Sequence, residues 1–323
     1  MPLDHTLRFA PVFRRYLWGG RRLATVLDKA LGEGSDYAES WEIVDHGADQ
    51  TVVAAGPFAG QPLQALVREH GPSLFGRHHP QPVFPLLFKF LDANKPLSVQ
   101  VHPNDAYGAT MSPPDLGKTE AWVVVHAEPG ALLYAGLKRG FDRDALAREI
   151  SRGTTELCLH VIEPRVGDCI FIPAGVPHAL GAGLVIAEIQ QASDTTFRLF
   201  DWNRVGPDGR PRALHIQQGL EVIDYAHGPV SPQVPEQIDT WTERLVSCDK
   251  FVLDRLTLTS PRYIAGDEKF HILAVLDGAV TLPGDPLGRS LARGETALLP
   301  AAMPRCELQP QGRGVVLDMY LPG

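Results

Sequence analysis

The sequence predicts a mainly β protein that consists of two jelly-roll β-barrels with a few short helices. The first observation is a series of short runs rich in Val, Ile, Leu and Phe, separated by 31 glycines and 28 prolines. Short strands with regular turn signals are typical of sandwiches and barrels. The second observation is an internal repeat, because GDCIFIPAGVPH at residues 167–178 matches GETALLPAAMPR at residues 294–305 in the same register. A duplicated barrel explains such a repeat.

Helical patterns are few. The best are PLQALVREHGPSLFG at residues 62–76 and DRDALAREI at residues 142–150, and the second has an acidic first turn that suits a helix start. The polar, proline-rich stretch at residues 226–239 is typical of a connector. We therefore predict an N-terminal domain at residues 1–235 and a C-terminal domain at residues 240–323.

Composition and charge exclude several classes of protein. Of the 323 residues, 44% are hydrophobic and 21% are charged, which is ordinary for a globular chain. The net charge of −8 argues against nucleic acid as the main partner, although a local basic patch could still bind a phosphorylated small molecule. The four cysteines form no CxxC pair, which favours a reducing compartment. The N-terminus resembles no signal peptide, and no apolar run approaches the ~18 residues of a membrane span. We predict a soluble cytoplasmic protein without a membrane partner and leave its oligomeric state open.

A candidate metal site begins at LSVQVHPND, residues 97–105, where Gln100 and His102 are two residues apart on a predicted strand and so share a face. The segment GDCIFIPAGVPH fits the second cupin signature, G(x)5PxG(x)2H, and its histidine is His178. A glutamate that completes the first signature is delayed to Glu120. Two nitrogen and two oxygen ligands suit zinc. For any one of these residues alone, the alternative is a buried polar group that is satisfied by hydrogen bonds. In the second copy Arg305 replaces the histidine, so we expect the C-terminal domain to be a degenerate cupin without metal ligands.

Four longer motifs resemble one particular protein family. LSVQVHPND, GKTEAW, IPAGVPHALGAG and AEIQQASDTTFRLFDWNR resemble, in order and spacing, the short bacterial form of the type I mannose-6-phosphate isomerase family. PVFRRYLWGGRRL and ESWEIVDH resemble the N-terminal segments of that family. The resemblance implies one zinc ion per chain, held by Gln100, His102, Glu120 and His178. It also implies a phosphorylated hexose as substrate, with mannose 6-phosphate and fructose 6-phosphate interconverted through an enediol or enediolate intermediate.

Five further residues have expected roles, four of them from the resemblance and Lys118 from its position two residues before Glu120, on the same face of a strand. Arg198 matches the active-site arginine of the family and could stabilise the enediolate; the alternative is an ion pair with a nearby aspartate. Lys118 could contact substrate oxygens or shuttle protons, and Glu188 matches a site glutamate. Lys95 and Ser98 match positions that contact the phosphate. The general base is left open between Glu188, Lys118 and a metal-bound water.

Two other functions remain possible from the sequence. One is a different metal-dependent cupin, such as an iron oxygenase, although Gln100 in place of a histidine weighs against it. The other is a sugar-binding cupin without catalytic activity, which predicts binding without turnover. The full set of candidate ligands together with Arg198 favours the isomerase over both.

Overall fold

The computed structural model describes residues 2–206 and 209–323 of the chain. In this described part, strands account for 38% of the residues and helices for 15%. The prediction of a mainly β protein with a few short helices is therefore confirmed.

The strands lie in two consecutive groups. The first group is β1 (Phe9–Ala10), β2 (Val12–Gly20), β3 (Tyr37–Ile43), β4 (Asp45–His46), β5 (Asp49–Gln50), β6 (Val52–Val53), β7 (Leu86–Ala93), β8 (Val99–Val101), β9 (Glu120–Ala127), β10 (Leu133–Leu137), β11 (Leu159–Ile162), β12 (Cys169–Ile172), β13 (His178–Leu180), β14 (Leu184–Gln191) and β15 (Phe197–Phe200). The second group is β16 (Glu236–Gln237), β17 (Thr242–Ser247), β18 (Val252–Leu258), β19 (Arg262–Ile264), β20 (His271–Asp277), β21 (Ala279–Thr281), β22 (Leu291–Ala292), β23 (Thr296–Leu299), β24 (Cys306–Pro310) and β25 (Gly314–Tyr320).

These strands build four larger sheets. Sheet 1 has the order β12-β9-β14-β7-β3-β2, and sheet 2 has the order β11-β10-β13-β8-β15. Sheet 3 has the order β16-β17-β18-β25-β20-β23, and sheet 4 has the order β19-β24-β21-β22. The two short pairs β1-β6 and β4-β5 lie outside them. All the neighbouring strands run antiparallel, which suits short connections between them.

Each pair of sheets encloses an apolar core. Leu91, Trp122 and Ile186 of sheet 1 pack with Leu133 and Leu180 of sheet 2. The corresponding core between sheets 3 and 4 includes side chains such as Leu273, Val316 and Leu308. Alternate residues along a strand point to opposite faces, so the other faces of sheets 1 and 3 are also available for packing.

Those other faces pack against each other. Val123 and Ala187 of sheet 1 belong to one buried cluster with Leu253, Ile272 and Leu317 of sheet 3. The layers therefore follow the order sheet 2, sheet 1, sheet 3, sheet 4. The strands of sheet 1 are buried on both faces, which explains why β7 and β14 are apolar along most of their length.

The helices are α1 (Arg22–Leu27), α2 (Leu63–Phe75), α3 (Asp105–Gly108), α4 (Arg143–Arg152) and α5 (Ile216–Val222), with single 3₁₀ turns at Gly76–His78 and Thr155–Cys158. Both predicted helices are confirmed, as α2 and α4. The carboxylate of Asp142 caps α4 by accepting a hydrogen bond from the Ala145 N–H at 2.8 Å. Within the described residues, no helix is both long and apolar enough to cross a membrane.

The N-terminal segment contacts the second pair of sheets. The backbone N–H of Leu7 donates to the carbonyl of Leu298 at 2.9 Å, and Arg8 Nη1 lies 2.7 Å from the Asp285 carboxylate. Of the predicted connector at residues 226–239, residues 226–235 form neither helix nor strand, whereas β16 lies within its last part. The division into residues 1–235 and 240–323 remains a prediction, because the first ten residues pack on both groups of strands.

Candidate active site and metal centre

One row of cross-strand neighbours on sheet 1 carries two buried charged side chains. Trp122 of β9 lies opposite Glu188 of β14, Glu188 lies opposite Lys89 of β7, and Lys89 lies opposite Trp41 of β3. All four residues are buried. Directly opposed residues on antiparallel strands have adjacent side chains, so the fold brings Glu188 and Lys89 together across 99 residues of chain.

A second row lies on sheet 2. His178 of β13 is opposite Gln100 of β8, and Gln100 is opposite Arg198 of β15. Gln100 Nε2 and His178 Nε2 are 3.3 Å apart. The turn that leads into β13 depends on Gly175, whose φ is +88° and whose N–H donates to the carbonyl of His102 at 2.8 Å. The second cupin signature thus fixes the backbone beside both histidines.

His178 of the second row forms a buried cluster with His102 and Glu120. Their nitrogen and oxygen atoms lie within 4.8 Å of one another, and each residue is at most 1% exposed. His178 Nε2 is 3.3 Å from Glu120 Oε1, and His102 Nε2 is 3.6 Å from Glu120 Oε2. In a tetrahedral zinc site with bonds of about 2.0–2.1 Å, two ligand atoms lie about 3.3 Å apart. The spacing of the three side chains therefore fits a metal ion.

The hydrogen bonds of the histidines orient them as metal ligands. Nδ1 of His102 contacts the carbonyl of Thr195, and Nδ1 of His178 contacts the carbonyl of Val176, both at 2.8 Å. Each Nδ1 carries the proton because a carbonyl can only accept, and so each Nε2 keeps a lone pair directed towards Glu120. Burial lowers the pKa of His178 to about 4, and burial beside Lys118 lowers that of His102 well below its usual range. Both rings are neutral at pH 7, as metal ligands must be.

Glu120 is the acidic member of the cluster, and neither of its buried oxygens accepts a well-aligned hydrogen bond in the described part of the chain. Lys118 Nζ lies 2.7 Å from Oε2 and is the nearest cation. Burial, and then the nearby Glu188 carboxylate, raise the pKa of Glu120. A buried carboxylate with free acceptor positions is costly unless a cation occupies the site, which is a second sign that the cluster fits a metal.

Glu188 lies next to the cluster, and two lysine amines are its nearest charged groups. Its Oε1 is 3.3 Å from Lys89 Nζ and 3.6 Å from Lys118 Nζ, and its Oε2 accepts a hydrogen bond from the Trp122 indole at 3.0 Å. Burial alone would raise the pKa of Glu188, but Lys89 and Lys118 outweigh this effect and the pKa is lowered. Glu188 is therefore ionised at neutral pH.

A cavity of about 300 Å³ opens beside this cluster. Five of the side chains predicted from the sequence line it, namely Ser98, Gln100, Lys118, Glu188 and Arg198. A volume of this size is within the range of small-molecule sites.

Of two further predicted site residues, Arg198 lines the cavity and Lys95 does not. Arg198 has no ion pair in the described residues; its Nη1 donates to the carbonyl of Ala213 at 2.9 Å and its Nε is buried without a partner. Burial and the nearby Arg212 lower the pKa of Arg198. Lys95 is exposed and is not part of the cavity lining, so its contact with phosphate stays a prediction.

Sequence reasoning missed other residues of the cavity. Its lining also contains Tyr16, Glu39, Lys89, Asp194, Thr196 and Arg212. Lys89 could have been found from the pattern, because it is the single charged residue in the first five positions of the apolar run LLFKF. A buried lysine in such a run must be paired with an acid.

The chain is similar to known proteins along most of its length. Residues 6–118 match the family model for the catalytic domain of type I phosphomannose isomerase. A mannose-6-phosphate isomerase of Bacillus subtilis (strain 168) is 33% identical over 309 residues, which cover 94% of this chain and 95% of that protein. A mannose-6-phosphate isomerase of Streptococcus mutans is 41% identical over 207 residues, 64% of either chain.

A solved structure gives the same result for the fold. The crystal structure of the mannose 6-phosphate isomerase from Bacillus subtilis matches with a TM-score of 0.89 at 28% identity, covering 98% of this chain and 100% of that one. The cupin-type fold predicted from the sequence is therefore confirmed. The resemblance inferred from the sequence motifs is confirmed as well, and the chain belongs to the type I mannose-6-phosphate isomerase family.

Proposed function

We propose that the protein interconverts mannose 6-phosphate and fructose 6-phosphate and that it uses one zinc ion per chain. The observation that carries this proposal is the buried cluster of His102, Glu120 and His178 beside a cavity lined by Lys118, Glu188 and Arg198. Family membership supports the substrate, since the relatives are named for it. The free cysteines of the described chain are consistent with a cytoplasmic location.

Gln100 would complete the zinc ligands. Its side chain lines the cavity beside His178, and rotation of its amide can present either the oxygen or the nitrogen. Held by one carboxylate and three neutral groups, zinc would keep a net positive charge and polarise the sugar oxygens near C1 and C2. All four proposed ligands lie before residue 235, so we assign the catalytic site to the N-terminal group of strands.

The side chains around the cluster divide the remaining chemistry. Isomerisation moves a hydrogen between C1 and C2. In the proposed route, a proton leaves one of these carbons and returns at the other through an enediol or enediolate intermediate; the alternative is direct transfer of a hydride between them. Glu188 is ionised and lines the cavity, so we propose it as the group that accepts this proton. Lys118 contacts both Glu188 and the ligand cluster, which suits it to stabilise an oxyanion or to move a proton between the two sugar oxygens.

Arg198 and Ser98 would contact the other parts of the substrate. Ser98 is buried in the cavity wall and can donate its hydroxyl hydrogen to an anionic oxygen. The guanidinium of Arg198 has no carboxylate partner among the described residues, which leaves its charge available for an anion. The alternative predicted from the sequence is an ion pair of Arg198 with Asp194 or Asp201. Neither pair is present among the described residues, and Asp201 pairs with Arg204 and Arg212 instead.

The proposal is tested by assaying conversion of mannose 6-phosphate by the protein as isolated, after chelation and after zinc is restored. We expect activity to disappear with the chelator and to return with zinc. Carrying out the reaction in D2O should place deuterium on C1 or C2 if an enediol forms. In Glu188→Gln, both the turnover rate and the rate of deuterium incorporation into the sugar should fall by at least about a hundredfold.

Glu221→Gln is the matched control, because Glu221 is exposed on α5. It should retain full activity. A folded, zinc-loaded protein that binds the substrate without turning it over would favour a sugar-binding cupin. Activity restored by iron together with O2 consumption would favour an oxygenase.

A further inference from the structure

A second large cavity lies where the contact between sheets 1 and 3 opens to the surface. Val123 and Val125 of β9 and Val166, which precedes β12, line one side. Leu276 of β20 and Val315 of β25 line the other side. Its volume of about 520 Å³ exceeds the 300 Å³ of the active-site cavity, so it can hold a small organic molecule. This cavity lies on the opposite face of β9 from the core that surrounds Trp122.

Three arginines and two acids also line this cavity. Arg255 is fully engaged, because its Nε donates to Glu243 and its Nη1 donates to the carbonyl of Gly167, at 2.9 and 2.7 Å. Arg313 is paired with Asp277 at 3.1 Å, and both side chains are more than half exposed. The two acids are thus already used by two of the three arginines.

The third arginine, Arg293, differs from the other two. Among the residues that the structure describes, it makes no hydrogen bond and no ion pair, and its Nε is buried. The chain as a whole has a net charge of −8, so an excess of cations does not explain this unpaired guanidinium. Buried polar atoms in folded proteins are almost always paired, and a bound ion or ligand is one explanation for an atom such as this Nε that is not. The planar fork of arginine matches carboxylate and phosphate oxygens.

The internal repeat places a cationic and an apolar residue at corresponding positions of the cavity lining. Arg293 and Val166 are corresponding positions of the repeat, since each directly precedes the glycine that begins it. Val166 is 65% exposed, which is unusual for valine, and lies in the same cavity as Arg293. Leu276 adds apolar surface next to them. The cavity therefore offers one unpaired cation together with an apolar surface.

We propose that this cavity binds a small amphipathic anion, a molecule with a carboxylate or phosphate group and a short apolar body. The anionic group contacts Arg293, and the apolar body packs against Val166 and Leu276. A simple anion or a purely apolar molecule would match only one of these two features of the cavity. The proposal is independent of the isomerase reaction, because none of these residues lines the active-site cavity.

Isothermal titration with three probes tests this proposal. Hexyl phosphate has both features, inorganic phosphate has only the charge, and 1-hexanol has only the apolar body. The titrations are performed with mannose 6-phosphate at a saturating concentration, so that the active site is occupied. We expect hexyl phosphate to bind at least about tenfold more tightly than either fragment, because a charge-assisted hydrogen bond and apolar burial each contribute about that factor.

Two variants locate the binding. Arg293→Gln should weaken hexyl phosphate binding by about tenfold or more. Val166→Asp should also weaken it, because a carboxylate at this exposed position repels the anion and removes apolar surface. Arg152→Gln is the control, since Arg152 lies on α4 with its side chain 65% exposed, and it should bind like the unchanged protein.

Three results would overturn the proposal. They are no measurable binding of hexyl phosphate, unchanged binding in Arg293→Gln, and binding that mannose 6-phosphate displaces. The last result would show that the probe occupies the active-site cavity instead.

Discussion

Three charged side chains lie buried side by side on sheet 1. Lys89 Nζ is 3.3 Å from Glu188 and 3.5 Å from Glu39, and all three residues are less than a tenth exposed. Burial alone would lower the pKa of Lys89, but the two carboxylates outweigh it and raise the pKa, so the amine stays charged. One lysine thus compensates two buried acids, one of which is the proposed proton acceptor.

Replacement of this lysine by an apolar residue should therefore destabilise the protein. Lys89→Met leaves Glu39 and Glu188 buried without their shared cation, and breaking a buried ion pair costs about 3–5 kcal/mol. Urea unfolding followed by circular dichroism measures the free energy of unfolding. The control Lys95→Met removes an exposed amine and should change that free energy by less than about 0.5 kcal/mol. Equal stability of the two variants would contradict the pairing.

The same residues show which parts of a site can be predicted from sequence. His178 was predictable from the fixed spacing of the second cupin signature, and His102 and Glu120 from the family motifs LSVQVHPND and GKTEAW. The burial of Lys89 is indicated by the local pattern LLFKF, but its proximity to Glu39 and Glu188 depends on pairing between distant strands, which no local pattern contains. Lys95 shows a different limit. It lies in a turn where its N–H donates to the carbonyl of Trp18, and its side chain is exposed rather than in the cavity lining.

At the level of elements, the internal repeat extends to whole sheets. Sheet 3, in the order β23-β20-β25-β18-β17-β16, has the same succession of strands as sheet 1 in the order β12-β9-β14-β7-β3-β2. The register also agrees. Ile172 of β12 pairs with Glu120, and the corresponding Leu299 of β23 pairs with His271. His271 therefore holds the position of Glu120, and Asp318 holds that of Glu188.

These positions carry an internally paired network in the second copy. Nδ1 of His271 lies 2.8 Å from Asp318, and its Nε2 lies 3.1 Å from Asp267. Both ring nitrogens are thus used by carboxylates. Sequence alone indicated a degenerate second copy through Arg305, but the identity of this network follows only from the register of the sheet.

The network predicts how stability depends on pH. Burial lowers the pKa of His271, but Asp318 and Asp267 outweigh this effect and raise the pKa to about 10, against an ordinary value of 6.5. Between these values the folded protein holds a proton that the unfolded chain has lost. The contribution of His271 to stability is therefore complete below about pH 6.5 and decreases as the pH rises towards 10.

Urea unfolding of the unchanged protein and of His271→Asn at pH 6, 7.5 and 9 measures this contribution. Since all other groups titrate in both proteins, the difference in unfolding free energy between them isolates His271. We expect the difference to shrink by about 1 kcal/mol or more for each pH unit within this range. A difference that is constant with pH would mean that His271 is neutral in the folded protein.

At the scale of the whole molecule, the two groups of strands share one buried core. The aromatic rings of Phe75 in α2, Phe84 before β7 and Phe270 before β20 meet there, with the centroids of Phe84 and Phe270 4.9 Å apart. All three side chains are fully buried. The sequence predicted two barrels packed together but not which residues meet, because the outward faces of their strands show no partner until the sheets are assembled.

A shared core predicts that the chain unfolds as one unit. Phe270→Ala removes a ring from the second group of strands and should cost about 3–5 kcal/mol. Because the ring packs on Phe84 and Phe75 of the first group, the loss should shift the whole urea transition, and mannose 6-phosphate isomerisation should disappear at the same denaturant concentration as the circular dichroism signal. Val234→Ala, at a position that is 91% exposed, should leave the midpoint unchanged. Two separate transitions, of which only one shifts in Phe270→Ala while activity persists through it, would mean that the two groups of strands fold independently and that the catalytic group does not depend on its partner for stability.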